Sequence, residues 1–533
     1  MLADLGVGHA FGVVGSGNLR VTNALRARGV PYTAARHEGG AATTADAYAR
    51  TSGEVAVLTL HQGCGLPNAL TGITEAAKSR TPLLVLAADT AGAAVRSNFR
   101  IDQDALVAAV GAVPERVHSA ASAVADVRRA YAPCRARRRT VVLSLPLDVQ
   151  EQACDAPPPA PRFTGPHPAR PHAAAAADLA ARIDRAERPV FLAGRGARHA
   201  GVELAALADT CGALLATSAV ANGLFTGHRW SLGISGGFAT DLAAELIAGA
   251  DLVVAWGASL TMWTTRHGAL IGDGTAVVQV DDTAAALGAQ RPVDLGVLGD
   301  VAETVRDVAA LVTGGAGYRC ATISARIAAE GRWTRVPVPE QAPDPDRIDP
   351  RTLSSALDAL LPDERTVAVD SGNFMGYPSA YLAVPDAAGF CFTQGFQSVG
   401  LGLATALGAA TARPDRLPVA ALGDGGFLMG VAELETVVRL GIGMLVVVYD
   451  DAGYGAEFHH FTDDDQATVR FPDTDLAALA RGYGCEAATV RREADLGAVR
   501  TWLTGPRERP LLLDAKVRAD EPSWWLAEAF RGH

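Results

Sequence analysis

No apolar run in this chain reaches the roughly 18 residues that a membrane-spanning helix needs, which argues against an integral membrane protein. No basic start followed by an apolar stretch and a cleavage site opens it either, so a secretory route is not expected. Basic charge is scarce. Lys and Arg number 47 against 58 Asp and Glu, and a net charge of -11 excludes the concentrated positive face of a nucleic-acid binder. The one basic cluster, Arg135, Arg137, Arg138 and Arg139, stands just before the strand-like "TVVLSL" and reads as a solvated helix end. Cysteines are few. The seven are scattered, odd in number and without paired spacing, which excludes a disulfide framework and a zinc site and points to the reducing cytoplasm.

What the chain has in quantity is apolar surface. With 49% hydrophobic and 20% charged residues it must fold, and 533 residues are too many for one core. Two proline-rich stretches, "DAPPPAPRFTGPHPARP" at 155–171 and "RVPVPEQAPDPDRIDP" at 335–350, read as exposed extended connectors, because proline fixes φ and removes a donor. They predict domains at 1–153, 172–331 and 347–533, with linkers 154–171 and 332–346. In each domain, short apolar runs such as "VAVLTL", "PVFLAG" and "MLVVVYD" alternate with alanine-rich helical stretches. That pattern predicts an α/β fold of three doubly wound parallel sheets. The chain begins almost inside its first unit, since "HAFGVVGSGN" already reads as a strand and a glycine turn. An opening helix is expected to be shortened or absent, as in a truncated start.

The segment "LGDGGF" (422–427) places one carboxylate among three glycines at the end of the apolar run "LPVAALGD". In open parallel sheets ligands bind beyond the carboxyl ends of strands. Gly423, Gly425 and Gly426 leave room for backbone N–H groups to approach an anion, and the following helix adds its positive end. A helix around "MGVAELETVVRLG" and a second strand, "MLVVVYDD", complete a βαβ crossover. If the two strands are neighbours, about 4.8 Å apart, Asp424 and Asp451 can reach one hard cation. Mg²⁺ suits such a place, taking one or two carboxylates and completing its shell with phosphate oxygens and water.

"GDGGF" followed by a helix, a strand and "YDDAGYG" resembles the thiamine diphosphate motif of the superfamily of acetolactate synthase, benzoylformate decarboxylase and pyruvate decarboxylase. Further upstream, "AARHEGGAATTADAYARTSG" and "LHQGCGLPNALTGITEAAKSRTPLLVLA" are similar to its N-terminal pyrimidine-binding domain, "RPVFLAGRGA" to its central domain, and "QGFQSVGLGLATALGAA" to the stretch before its GDG in the diphosphate-binding domain. The resemblance implies that Asp424, Asp451 and the Gly453 carbonyl hold Mg²⁺. It also implies that Ser371, Gly372, Asn373, Gly423, Gly425, Gly426, Tyr454 and Gly455 surround the coenzyme. The family usually has Asn-Asn where this chain has Asp450-Asp451. The added negative charge predicts a stronger dependence on Mg²⁺.

Taken alone, Glu38 in "RHEGGAA" reads as an acid at a helix N-terminus. The resemblance makes it the catalytic acid that shares a proton with N1′ of the aminopyrimidine. Val399, in isolation a core residue, becomes the apolar prop beneath the coenzyme, and the Gln397 carbonyl receives its 4′-amino group. His61 and Gln62 open the glycine turn "HQGCG". His61 matches the active-site histidine of benzoylformate decarboxylase-like members, and an imidazole there suits proton shuttling. Ala456, Glu457 and His460, in "AEFHHF", stand where synthases line the acceptor pocket, and predict a more polar substrate than a branched-chain precursor.

The central stretch "GLFTGHRWSLGISGGFATDL" lacks the Gly-His-Gly pattern of flavin-dependent synthases, which argues against FAD. The expectation is a homodimer or homotetramer with sites between subunits, acting on a small 2-oxo acid and a carbonyl acceptor. Carboligation is the first reading, and plain decarboxylation or 2-hydroxyacyl lyase activity the second. A non-catalytic nucleotide- or cofactor-binding regulator is the rival of another class, and Glu38 discriminates against it. A nicotinamide dehydrogenase fits less well, because "GVVGSGN" lacks the complete G-x-G-x-x-G.

Overall fold

The computed structural model describes residues 1–154, 163, 165–339 and 344–526. Much of the two proline-rich connectors, at 155–162, 164 and 340–343, lies outside the described residues, as do residues 527–533.

Each third of the chain builds its own six-stranded sheet. The first contains β1 (His9–Gly12), β2 (Tyr32–Ala34), β3 (Ala56–Leu60), β4 (Leu83–Asp89), β5 (Val113–Arg116) and β6 (Thr140–Pro146), in the order β2-β1-β3-β4-β6-β5. The second contains β7 (Pro189–Ala193), β8 (Leu214–Thr217), β9 (Ser231–Ile234), β10 (Leu252–Trp256), β11 (Ala276–Asp281) and β12 (Leu295–Leu298), in the order β12-β11-β10-β7-β8-β9. The third contains β13 (Arg365–Val369), β14 (Phe390–Phe392), β15 (Leu417–Gly423), β16 (Leu445–Asp450), β17 (Glu486–Val490) and β18 (Leu511–Lys516), in the order β14-β13-β15-β16-β18-β17. Every strand pairing is parallel. The central strands are buried throughout, as parallel sheets covered on both faces require.

The first and third sheets share one strand order, counted from the first strand of each, whereas the middle sheet runs in the other common doubly wound order. The start of the chain does form a helix, but only over Leu2–Leu5. The basic cluster falls at the end of helix Ala123–Arg137, as its setting predicts, and Arg138 there pairs with Asp282 of the middle domain at 2.6 Å.

The first and third domains meet along two helices of small residues, Glu38–Ser52 and Gly402–Ala412. Their approach is close enough that a Cβ on Gly408 would sit 2.8 Å from Ala47 Cβ and 2.9 Å from the Tyr48 nitrogen. Thr44 Oγ1 donates across the junction to the Ala404 carbonyl at 3.2 Å. Glu433 ties the same two domains together, accepting the backbone N–H groups of Arg36 and His37 at 3.1 and 3.0 Å. This packing fixes where Glu38, the first residue of its helix, stands.

Candidate active site

β15 and β16 are neighbours, with Gly423 in register with Tyr449, so their carboxyl ends deliver Asp424 and Asp451 to the same edge. The chain turns into helix Asp424–Gly430 directly from the strand, and a second helix, Glu433–Arg439, follows after a break at Val431–Ala432. The single helix expected around "MGVAELETVVRLG" is thus two short ones, the first starting at the acid itself. Beyond β16, Ala452 takes a left-handed φ of 57° that turns the chain back toward Asp424.

A cavity of about 300 Å³ opens at this edge. Ser371, Gly372, Asn373, Gln397, Val399, Gly423, Asp424, Gly425, Gly426, Asp451, Gly453, Tyr454, Gly455, Ala456 and Glu457 all line it. The glycines are spatial requirements. A Cβ on Gly425 would meet the Tyr454 ring at 2.7 Å, and one on Gly455 would meet Asn373 Cβ at 2.9 Å. On Gly426 it would stand 2.5 Å from Asp370 Oδ2 and 3.3 Å from Val399 Cγ1. Val399, which alone reads as core, is 38% exposed. A larger cleft of about 1370 Å³ lies beside the middle sheet, but neither Asp424 nor Asp451 borders it, so size does not locate the chemistry.

Among the described residues the charges in the smaller cavity are one-sided: Asp424, Asp451 and Glu457 line it, and no described Lys, Arg or His does. Burial and then the charge of Asp450 push the Asp424 carboxyl up to about 7, despite backbone N–H groups of Gly425 and Gly453. Burial, then Asp424 and Asp450, likewise push Asp451 well above the usual carboxylate range. Two such groups side by side are a donor pair suited to a hard cation. The Gly453 carbonyl accepts no hydrogen bond from the described residues, leaving it available as a third oxygen ligand. Among the described residues no three or more His, Cys, Asp and Glu side chains form a metal-holding group, so two carboxylates and a carbonyl are the donor set at hand.

Asp450 points elsewhere. It is in register with Lys516 on β18, and its Oδ2 accepts from the Lys516 ammonium at 2.6 Å. Its charge is therefore already paired, and the unpaired acid of the Asp-Asp doublet is Asp451.

Glu38, His61 and Gln62 do not line this cavity. They gather at the carboxyl edge of the first sheet, after strands β2 and β3, which flank β1. Glu38 is buried and accepts from Asn68 Nδ2 at 3.2 Å. His61 hydrogen-bonds through Nδ1 with the Gln62 carbonyl at 2.8 Å and through Nε2 with Ser16 Oγ at 3.2 Å, and its ring meets Phe99 edge-on. Gln62 Oε1 is buried with no hydrogen-bond partner among the described residues. His460 stands outside the cavity lining, its ring against Phe461.

Sequence reasoning passed over Asn68, Ser16 and, above all, Asp370. That carboxylate ends the segment "TVAVD" just as Asp424 ends "LPVAALGD", so the same strand-end signal could have found it. Fully buried, it accepts the N–H groups of Ser371, Gly400 and Leu401 at 2.8, 3.0 and 3.2 Å. Burial pushes it up to about 6. Trp263 of the middle domain and Trp525 and Leu526 near the end of the chain also line the cavity, and no local motif marks them.

A glycine-cradled acid pair on a doubly wound sheet, with a glutamate displayed on a second sheet of the same strand order, defines an enzyme that binds thiamine diphosphate. Family comparison agrees: the chain matches the thiamine pyrophosphate enzyme N-terminal TPP binding domain over residues 1–107, the central domain over 176–308 and the C-terminal TPP binding domain over 370–515. The chain belongs to the thiamine pyrophosphate enzyme family. Its relatives catalyse different reactions. It is 28% identical to a sulfoacetaldehyde acetyltransferase of Castellaniella defragrans, over 92% of this chain and 87% of that protein. It is 29% identical to a probable 2-ketoarginine decarboxylase of Pseudomonas aeruginosa (93% and 88%) and 28% identical to a putative acetolactate synthase large subunit of Mycobacterium tuberculosis (92% and 92%). Among the described residues no helix is long and apolar enough to cross a membrane.

Proposed function

We propose that this thiamine diphosphate-dependent enzyme is a carboligase, which decarboxylates a small 2-oxo acid and passes the acyl-anion equivalent to a carbonyl acceptor. The observation that carries the reading is the pair of buried, raised carboxylates, Asp424 and Asp451, brought together at one edge of a glycine-lined cavity. These two and the Gly453 carbonyl would hold Mg²⁺, which would supply positive charge for a diphosphate. When bound, the coenzyme supplies the electron sink for decarboxylation. The chain's own residues do the rest. Gly425 and Gly426 leave space at the start of helix Asp424–Gly430 for an anionic group, Val399 props the rings, and the Gln397 carbonyl orients the amino group. Glu38 holds the proton at the aminopyrimidine, a contribution of about 10² to 10⁴ in rate for positioned proton transfer. His61, with Gln62 and Ser16, moves protons on the substrate side.

The same reading requires a second copy of the chain. Glu38, His61 and Gln62 lie away from their own chain's cavity, and Phe396, Val399, Leu428 and Met429 leave exposed apolar surface near it. A homodimer, or a pair of dimers, brings the first-sheet edge of one protomer over the cavity of its partner.

A second reading, decarboxylation without ligation, is favoured by the acidic lining. With Glu457 at the cavity and no Arg or Lys among the described lining residues, the walls suit a 2-oxo acid with a neutral or cationic side chain better than a sulfonated acceptor. The experiment is to incubate the protein with thiamine diphosphate, Mg²⁺ and a panel of 2-oxo acids, with and without aldehydes, and follow CO₂ and coupled products by mass spectrometry. Coupled product supports ligation. CO₂ with the free aldehyde alone supports the second reading, and no CO₂ from any donor refutes both.

A further inference from the structure

The segment from Thr393 to Leu401 carries Gln397 and Val399 to the cavity, and it has no helix or strand to stiffen it. Gln397 nevertheless holds a left-handed φ of 62°, which a non-glycine residue keeps only where its surroundings dictate it. Two carboxylates supply that constraint, one on each side. Asp370, of the same domain, takes the N–H groups of Gly400 and Leu401 at 3.0 and 3.2 Å. Upstream, the acceptor comes from another domain: Glu75, on helix Gly65–Lys78 of the first third of the chain, takes the N–H groups of Gly395 and Phe396 at 3.0 and 2.6 Å.

Glu75 is wholly buried, and an isolated carboxylate there is costly. Arg50 makes it tenable, donating to Glu75 Oε1 at 2.7 Å while also holding Asp46 at 2.6 Å and the Phe392 carbonyl at 3.2 Å. Burial alone raises the Glu75 carboxyl. Arg50 and the N–H groups of Phe396 and Gly395 outweigh it and hold the group below its ordinary range. Ser79 Oγ adds a donor at 2.9 Å. The middle domain closes the junction, with Arg198 donating to the Arg50 carbonyl at 2.9 Å and to the Ala387 carbonyl at 2.6 Å.

We propose that Glu75, paired with Arg50, is a positioning residue for the coenzyme: it pins the Gly395–Phe396 backbone and so presents the Gln397 carbonyl and the Val399 side chain to the cavity. The proposal rests on the reading of that cavity as the thiamine diphosphate site. Its physical content is that four donors converge on two carboxylate oxygens. An amide in the same place must turn its NH₂ toward either a backbone N–H or the Arg50 guanidinium, so one contact becomes donor against donor.

The test compares wild type with Glu75→Gln and Gly395→Ala. The second variant keeps every charge but places a Cβ 2.5 Å from Ser79 Oγ and 3.0 Å from Glu75 Oε1, lifting the loop off its anchor. Thiamine diphosphate binding in Mg²⁺ is measured by calorimetry, and amide exchange across residues 393–401 is measured in the coenzyme-free protein. Both variants are expected to bind about ten-fold more weakly and to exchange about ten-fold faster, the loss of one charge-assisted hydrogen bond's worth. Should Glu75→Gln not accumulate as folded protein, Gly395→Ala decides alone. Wild-type affinity and exchange in Gly395→Ala overturn the proposal. So does a defect confined to Glu75→Gln, which an unpaired Arg50 would explain. A wild type that takes up no coenzyme overturns instead the reading of the cavity.

Discussion

Replacing Lys516 by Met tests the charge arrangement behind the candidate metal site. Lys516 is 3% exposed and meets Asp450 at 2.6 Å, Asp514 at 3.1 Å and Asp473 at 2.6 Å. Asp473 is half-exposed, and a pair of that kind contributes at most about 1 kcal/mol. Asp450 and Asp514 are buried, and removing one partner of a buried pair costs about 3–5 kcal/mol. Direct repulsion gives the same scale, since two charges about 4 Å apart at an effective dielectric of about 20 interact by roughly 4 kcal/mol. Lys516→Met is therefore expected to lower stability by about 3–5 kcal/mol at pH 8.

The pH dependence has a definite sign. Burial alone would lower the Lys516 ammonium, but Asp450, Asp473 and Asp514 outweigh it and raise it, so its contribution is fully present below the ordinary lysine range. In the variant the penalty comes from carboxylates instead. Burial already pushes Asp514 up to about 6, with Lys516 opposing, and loss of that cation raises it further. A raised acid's penalty accrues as pH climbs from its unfolded to its folded value, and the variant's folded value lies above the wild type's, so the deficit opens above about pH 6, is largest at pH 8 and shrinks toward pH 5. Denaturant unfolding of coenzyme-free wild type and variant across that range measures it. Adding Asp514→Asn should recover much of the loss. A deficit below about 1 kcal/mol at pH 8, or one equal at pH 5 and pH 8, would refute the reasoning.

Three further outcomes are expected. Glu38→Gln should retain the fold and coenzyme binding while losing about 10²-fold or more in turnover, and unchanged kcat would remove Glu38 from the mechanism. Asp451→Asn should keep metal-dependent coenzyme binding, because the amide oxygen can still act as a ligand while the repulsion with Asp424 is relieved. Calorimetric titration over Mg²⁺ concentration checks this, and complete loss of metal-dependent binding would show that the ligand set is wrong. Gly408→Val should cost about 1–3 kcal/mol by forcing apart the helices that join the first and third domains, measured as a fall in thermal midpoint.

Much of the architecture was legible because parallel sheets write themselves locally. Runs such as "VAVLTL" and "MLVVVYD" are apolar at consecutive positions, since both faces of their strands are covered, and each is a strand in the fold. The acid in "LGDGGF" was legible for the same reason: a carboxylate at a strand end among glycines is a local signal. Val399 was legible only through the family resemblance, because a valine between Ser398 and Gly400 looks the same alone whether it packs or lines a cavity. Asp370 sends the same signal as Asp424 but serves as a backbone anchor, a difference that depends on which N–H groups surround it.

The amino-acid sequence alone determined the α/β class through its periodicity and the family through its motifs, because both are written in residues adjacent in the chain. Only the tertiary structure decided that, of two neighbouring acids, Asp450 is neutralised by Lys516 while Asp451 is left facing Asp424. Consecutive side chains leave a strand on opposite sides, but which side holds a cation depends on β18 lying beside β16, 66 positions along the chain. The same holds for Glu75, whose hold on the Gln397 loop joins residues about 320 apart in sequence and exists only where two domains pack.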